Sequence, residues 1–468
     1  MDPDRHDPRL VDGVRRRVGR EHRPADDRRD LDAGLGLQQW ISLSYSLAVA
    51  SLYIVSGSLG DRFGRWRLFV GGVAGFAFAS ALAAVAPSSE LLLAARVLQG
   101  IAGALMTTNS LALLRATYAE DSGRAVGQWT AWGGIGSLIG PPAGGLLVEY
   151  ASWRWIFFIN LPAAVVALCA AWAGRGDERR TAAPRPLQPV GAVAIALTFG
   201  ALTYGLIEGA QTGFRSVIWA FAVSLGGLAM FVLSERRSDN PVLPMELLRS
   251  RVFQAANVYT LLVYAALGGS SFYLALYLQS GAVGYTAARA SLVFLPISLV
   301  MFVLAARFGR LADRNGPRLF LAAAPVVMAV GYALLTLVTT TNMLAALPGT
   351  IVLALGLAML VAPITATALR AAPDEFVGLA AGVNTTVSRL GGLVATPVMG
   401  VVITLVFAAA ASDHHGDPFA KHLTPDQQEA AISAFRAAIA VAVGLCLLGT
   451  LTALRWIPGR PEVRAPGG

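Results

Sequence analysis

The hydrophobic pattern is one of long apolar runs separated by short polar punctuation, with neither strand alternation nor a one-faced helical stripe. Runs of about 20 apolar residues fit the thickness of a bilayer, and a helix apolar all round lies in lipid. The pattern predicts thirteen spans, at roughly 38–59, 66–86, 91–114, 125–147, 154–173, 189–208, 216–234, 252–278, 287–307, 319–339, 347–369, 379–408 and 432–455. One stretch stands apart, GQWTAWGGIGSLIGPPAGG at 127–145. Gly136, Gly140 and Gly144 recur every four residues and define a helix face without side chains, open to close approach by another backbone. Pro141 and Pro142 then remove two backbone donors and predict a kink.

Composition agrees with a polytopic membrane protein. Apolar residues make up 55% and charged residues only 14% of the 468, and the mean hydropathy is +0.59. The net charge of +9 comes from basic residues that are all arginine except Lys421. They sit in short loops and form no single patch, which argues against nucleic acid as a partner. Twenty-one arginines fall in one set of loops, against five basic residues in and near the alternate set. By the positive-inside rule the richer set is cytoplasmic, which places the C-terminus inside. Cys169 and Cys446 both fall within apolar runs and read as core thiols. The expected organisation is a polar tail over 1–36, a helix bundle over 37–174, two further spans with their linkers over 175–251, a second bundle over 252–455 and a tail over 456–468. The first of these holds nine arginines and nine acids and no apolar run.

Two loops repeat each other. GSLGDRFGR at 57–65 follows the first span and GRLADRNGPR at 309–318 follows the ninth. Both set an acid, an arginine and a turn glycine at matching offsets, the trace of a transporter built from two similar halves. Asp61, Arg62, Gly64 and Arg65, and Asp313 and Arg314 more weakly, read as topology signals that also act as a gate, an acid pairing with a helix end of the other half. Arg96 lies inside an apolar span, about a turn from its outer end, where a charge faces a cavity or a partner. Arg389 is a second embedded charge.

Further motifs carry a resemblance. LAARVLQGIAG at 93–103, the glycine stretch with Gly127, Gly136, Gly140, Pro141, Gly144 and Gly145, and WRWIFFINLP at 153–162 follow the 57–65 loop in order. Together they resemble the fourteen-span drug:proton antiporters of the major facilitator superfamily over about residues 36–455. The resemblance implies an all-α fold of two helix bundles with two inserted spans, alternating access, and proton coupling at Arg96. It implies an antiporter motif at 127–145. It also implies a first span that the thirteen do not include, and residues 1–29 read as a shifted frame of that span.

A polyspecific cavity favours aromatic and amide side chains. Tyr45, Asn109, Trp129, Trp132, Phe272, Tyr273, Tyr277, Asn384, Thr385 and Arg389 are the candidates, each weighed against ordinary packing. Glu149 and Glu208 read as solvated span ends. His414, His415 and His422 have no metal-site spacing, and no hydrolase or phosphate-binding motif is present. The expectation is a monomeric, cofactor-free, proton-driven exporter of small amphipathic compounds in a bacterial plasma membrane. Uptake of another solute, and a membrane protein that keeps the fold without transporting, are the alternatives at this point.

Overall fold

The computed structural model describes residues 35–117, 139–173, 189–237, 245–339, 342–373, 376–411 and 416–459. Eleven helices among the described residues are long and apolar enough to cross a membrane, each at an expected place, and helices at Leu35–Phe63 and 139–150 overlap two further places. They are α1 (Leu35–Phe63), α2 (Arg65–Ala84), α3 (Ser89–Thr117), α4 (139–150), α5 (Trp155–Ala173), α6 (Pro189–Thr212) and α7 (Ile218–Arg237). Then follow α8 (Arg251–Gln279), α9 (Ala287–Asn315), α10 (Pro317–Leu335), α11 (Leu347–Arg370), α12 (Val377–Ala410) and α13 (Pro425–Trp456). Helices satisfy their own backbone groups, which lipid cannot do for them. Pro325, Pro363 and Pro397 stand inside α10, α11 and α12 without ending them. α13 starts seven residues before its expected position. Thr424 and Gln427 form a capping box there, so the helix begins in polar sequence ahead of its apolar run.

The chain folds as two bundles. α1, α2, α3 and α5 pack together in one, and α8 to α13 in the other, while α6 and α7 form a hairpin against α1 and α12. The repeated loops have the same geometry. Gly64, between α1 and α2, has φ 98, and Gly316, between α9 and α10, has φ 88. Both lie in the left-handed region that glycine enters without strain. The halves also share a packing device. A methyl on Gly72 would lie 2.7 Å from the Met106 nitrogen of α3, and one on Gly331 would lie 2.6 Å from the Leu353 nitrogen of α11. Such bare positions let backbones close on each other in lipid.

Large side chains fill the second bundle. Tyr259, Tyr273, Tyr277, Tyr332 and Phe435 are fully buried, and Tyr277 stacks on Phe435 with centroids 3.9 Å apart. Outward-facing positions carry Phe78, Val166, Trp172, Leu225, Phe302 and Leu319, all well exposed, as lipid contact permits. Cys169 is exposed, so it is not the core thiol expected, whereas Cys446 is buried.

Candidate functional site

α1 organises the site, because it presents two tyrosines and each is faced by an arginine. Tyr45 and Tyr53 are eight residues apart, about 12 Å along the helix. The Arg96 guanidinium of α3 lies 4.8 Å from the Tyr45 ring centre. The Arg389 guanidinium of α12, in the other bundle, lies 6.0 Å from the Tyr53 ring centre.

The 93–103 motif explains the first pair. Arg96, Gln99, Gly100 and Gly103 follow i, i+3, i+4, i+7 spacing and share one face of α3. Gly100 and Gly103 abut the Tyr45 backbone and hydroxyl, where an added methyl would lie 2.6 and 3.1 Å away. That approach brings Arg96 Nε within 3.0 Å of the Ile41 carbonyl, to which it donates. Arg96 Nη1 donates to Gln99 Oε1 at 3.0 Å, and Gln99 Nε2 donates to Ser80 Oγ at 2.7 Å. Asn160 Nδ2 donates to the same hydroxyl at 3.5 Å. One guanidinium therefore heads a polar chain through α1, α3, α2 and α5 whose other members among the described residues are uncharged. Arg389 is tied less completely, and its buried Nε has no hydrogen-bond partner among the described residues.

A seal joins the bundles at the arginine-poor end. Gln39 of α1 donates from Nε2 to the Tyr273 hydroxyl of α8, which donates to the Thr396 carbonyl at 2.7 Å. Glu149 of α4 accepts from the Ala288 amide at 2.7 Å, in the first turn of α9. That is where a carboxylate meets free backbone donors and the positive helix end. Gly145, one turn earlier on α4, faces the Ala287 carbonyl and Ser291. A methyl on Gly145 would lie 2.8 Å from the first and within overlap of the second. Glu149 is thus a contact between halves and not the solvated span end expected.

Several expectations are corrected. Gly140 and Gly144 have open space where a side chain would point, among the described residues, so the close approach is made by Gly145 alone of the three. Pro141 is exposed in the first described turn of α4. Gly127, Trp129, Trp132 and Gly136 lie outside the described residues. Tyr273 and Tyr277 line no cavity, since both are fully buried and Tyr277 donates to the Val338 carbonyl at 2.8 Å. Tyr277→Phe is therefore expected to lower stability by about 1–3 kcal/mol, leaving that buried carbonyl without its donor, and to leave substrate range unchanged. A denaturation series beside a transport panel checks both. Phe272 packs edge-on against Tyr273.

Asn109 is buried and pins α3 to α1 by donating to the Ser56 carbonyl at 3.3 Å. Asn384 accepts from Thr260 at 2.8 Å and pins α12 to α8. Thr385 donates to its own helix at Ala381. At the arginine-rich end Asp313 pairs with Arg370 of α11, within one bundle and not across the two. Arg62 is exposed beside Phe63, Arg65 is half-buried and Arg314 exposed. The Asp61 side chain lies outside the described part, as do His414 and His415, while His422 is exposed.

A cavity of about 710 Å³ opens between α2, α3 and α5, lined by Phe69, Phe76, Met106, Thr107, Ser110 and Asn160 among others. Its size suits a drug-sized ligand. Among the described residues none of the expected cavity residues lies on it: Asn109, Tyr273, Tyr277 and Asn384 are engaged in helix contacts. In the second bundle α8 packs against α11 and α13, so the counterpart of this space there is filled by a helix.

Comparison with known proteins decides the family. The sequence model of the Major Facilitator Superfamily matches residues 26–396. The chain belongs to the major facilitator superfamily. Among its relatives is the puromycin resistance protein pur8 of Streptomyces alboniger, 33% identical over 446 residues, which covers 93% of this chain and 86% of pur8. The multidrug efflux pump LfrA of Mycolicibacterium smegmatis is 32% identical over 412 residues, 87% of this chain and 80% of LfrA. The multidrug resistance protein Stp of Mycobacterium tuberculosis is 31% identical over 411 residues, 85% and 75% of the two chains. This major facilitator chain therefore falls among drug-efflux members. In fold it is similar to an auto-inhibited POT family peptide transporter, with TM-score 0.63 at 17% identity over 91% of this chain and 90% of that one. The POT family transporter PepTSo gives TM-score 0.62 at 15% identity over 89% of each. The chain is a multi-pass membrane protein of the two-bundle transporter fold.

Proposed function

We propose that this chain exports small amphipathic compounds in exchange for protons, by alternating access between its two bundles. The observation that carries the reading is the seal formed by Gln39–Tyr273, Gly145–Ala287 and Glu149–Ala288. A contact surface between two rigid bundles, made at one end by a few hydrogen bonds and a bare glycine, is an element with two discrete states. The drug-efflux relatives supply the substrate class. The embedded Arg96 supplies the coupling group, since a fixed cation lowers the pKa of any acid brought beside it. Gly64, Arg62, Arg65 and Asp61, with Gly316, Asp313 and Arg314 in the other half, form the gate at the arginine-rich end. That end faces the cytoplasm of a bacterial cell, with the C-terminus inside, and the chain acts as a monomer.

Expression in an efflux-deficient bacterial host tests this reading. Steady-state accumulation of amphipathic dyes is expected to fall, and a protonophore is expected to erase the difference. Equal accumulation with the chain present in the membrane would remove the exporter reading, and indifference to the protonophore would remove proton drive.

A further inference from the structure

We propose that Arg389 and Thr386 of α12 form an anion-recognising subsite between the bundles, and that the exported compound is an amphipathic organic anion. The inference rests on the exporter reading and narrows its substrate class. It begins with a charge inventory. Away from the span ends, the thirteen spans hold Arg96, Arg389 and, one turn into the last, Arg436, which donates to the Thr336 carbonyl, and no Asp, Glu or His. A half-buried guanidinium with a buried N–H that has no acceptor is costly, so the acceptors must be accounted for.

Arg96 and Arg389 differ there. Arg96 spends Nε on the Ile41 carbonyl and Nη1 on Gln99. Arg389 Nε is buried without a hydrogen bond among the described residues. Thr386 is 6% exposed, and its hydroxyl oxygen is likewise without a partner there. The two residues are three apart on α12 and so lie on one face, a turn from each other. Arg389 reaches out of its own bundle to the Tyr53 ring of α1. A planar guanidinium, a hydroxyl one turn away and an aromatic ring from the opposite bundle form a recognisable set. The first two bind a carboxylate, sulfonate or phosphate through charge-assisted hydrogen bonds, and the third packs on a flat apolar body. With no carboxylate in the span interiors to neutralise Arg389, the countercharge comes with the ligand. Because its parts belong to both bundles, the subsite is completed when they meet and divided when they separate.

Binding to the full-length chain in phosphatidylcholine nanodiscs tests the inference, with protein-free discs subtracted. The probes share one ring system: 1-pyrenesulfonate, 1-pyrenylmethyl-trimethylammonium and neutral 1-pyrenemethanol. The sulfonate is expected to bind at least about tenfold tighter than the ammonium probe. Arg389→Gln is expected to remove that preference while leaving pyrenemethanol binding unchanged, and Arg389→Lys to keep part of it. Equal or tighter binding of the cation overturns the proposal. So does an Arg389→Gln chain that binds pyrenemethanol normally and keeps its sulfonate preference. Should Arg389→Gln fail to insert, the wild-type ranking of the three probes decides by itself. No gradient enters this measurement, so a lost preference leaves proton-driven export standing. Absent flux with the preference intact removes export and leaves the subsite.

Discussion

Arg96→Ala is expected to abolish gradient-driven transport while the protein still inserts and accumulates normally. The substitution removes two hydrogen bonds from a charged donor, to the Ile41 carbonyl and to Gln99. It also removes the cation packed on the Tyr45 ring. Hydrogen bonds to charged groups contribute roughly 1.5–3 kcal/mol each, so a rate depending on this arrangement falls at least about tenfold. Stability falls less than this sum, because no carboxylate partner among those described is left buried and unpaired. Arg96→Lys is expected to be intermediate, since an ammonium cannot span both acceptors in the guanidinium geometry. The measurement is uptake of an amphipathic dye into everted vesicles of each variant, normalised to protein in the membrane. Wild-type uptake by Arg96→Ala would exclude a coupling role.

The second large effect is expected at Gly145. Its bare Cα lies against the Ala287 carbonyl and Ser291 of the opposite bundle. An added Cβ would stand 2.8 Å from the first and would overlap the Ser291 side chain. Real side chains do not tolerate such distances, and overpacking of this kind costs about 1–3 kcal/mol. Here the cost falls only on the state in which the seal is closed. Gly145→Val should therefore move the population toward a seal-open state by about fivefold to a hundredfold, at about 1.4 kcal/mol per tenfold. Export should stop without loss of fold. Gly140→Ala and Gly144→Ala meet open space among the described residues and should change stability by no more than about 0.5 kcal/mol. A Leu35→Cys reporter, on α1 one turn from Gln39 and packed against the second bundle, reads the seal in a Cys169→Ser background without removing its hydrogen bonds. It should label faster in Gly145→Val and at the unaltered rate in the other two. Equal effects from all three glycines would mean that the stretch acts by helix flexibility and not by contact.

These two residues show how much was legible beforehand. The Arg96 motif could be read because its spacing of three, four and seven residues defines a helix face, and a charge on an apolar face demands a partner. Its actual partners, a backbone carbonyl of α1 and the chain through Gln99 and Ser80, depend on which helices meet, and no spacing encodes that. The glycine stretch also revealed a face, but not the turn at which a neighbour touches it. Periodicity favoured Gly140 and Gly144, while contact falls on Gly145 because the first turn of α9 arrives at that height. Tyr273 and Tyr277 were misread for a related reason. A tyrosine in a membrane helix has the same sequence signature whether it faces a cavity or a core, and the Thr396 and Val338 carbonyls that claim these hydroxyls lie 123 and 61 residues away. Tyr53 and Gln39 carry no motif of their own, since a lone tyrosine in an apolar run and one of two adjacent glutamines at a span start do not reveal their partners. Tyr53 stands eight residues from Tyr45, two turns on and about 80° further round α1, so periodicity alone does not pair them. The spans were legible where length and apolarity decide them, and eleven helices among the described residues meet that measure.

The most direct test of the account is a two-way flux measurement on the purified chain in sealed liposomes. An imposed inside-acid gradient is applied with amphipathic dyes of both charges outside, and dye uptake and lumenal pH are followed together. The account predicts that at least one dye accumulates only while the gradient stands, and that adding this dye to pre-acidified liposomes speeds proton exit. It predicts that Arg96→Ala loses both signals together. Dye accumulation that proceeds without proton movement, or no gradient-dependent uptake by correctly inserted protein, would contradict proton-coupled export.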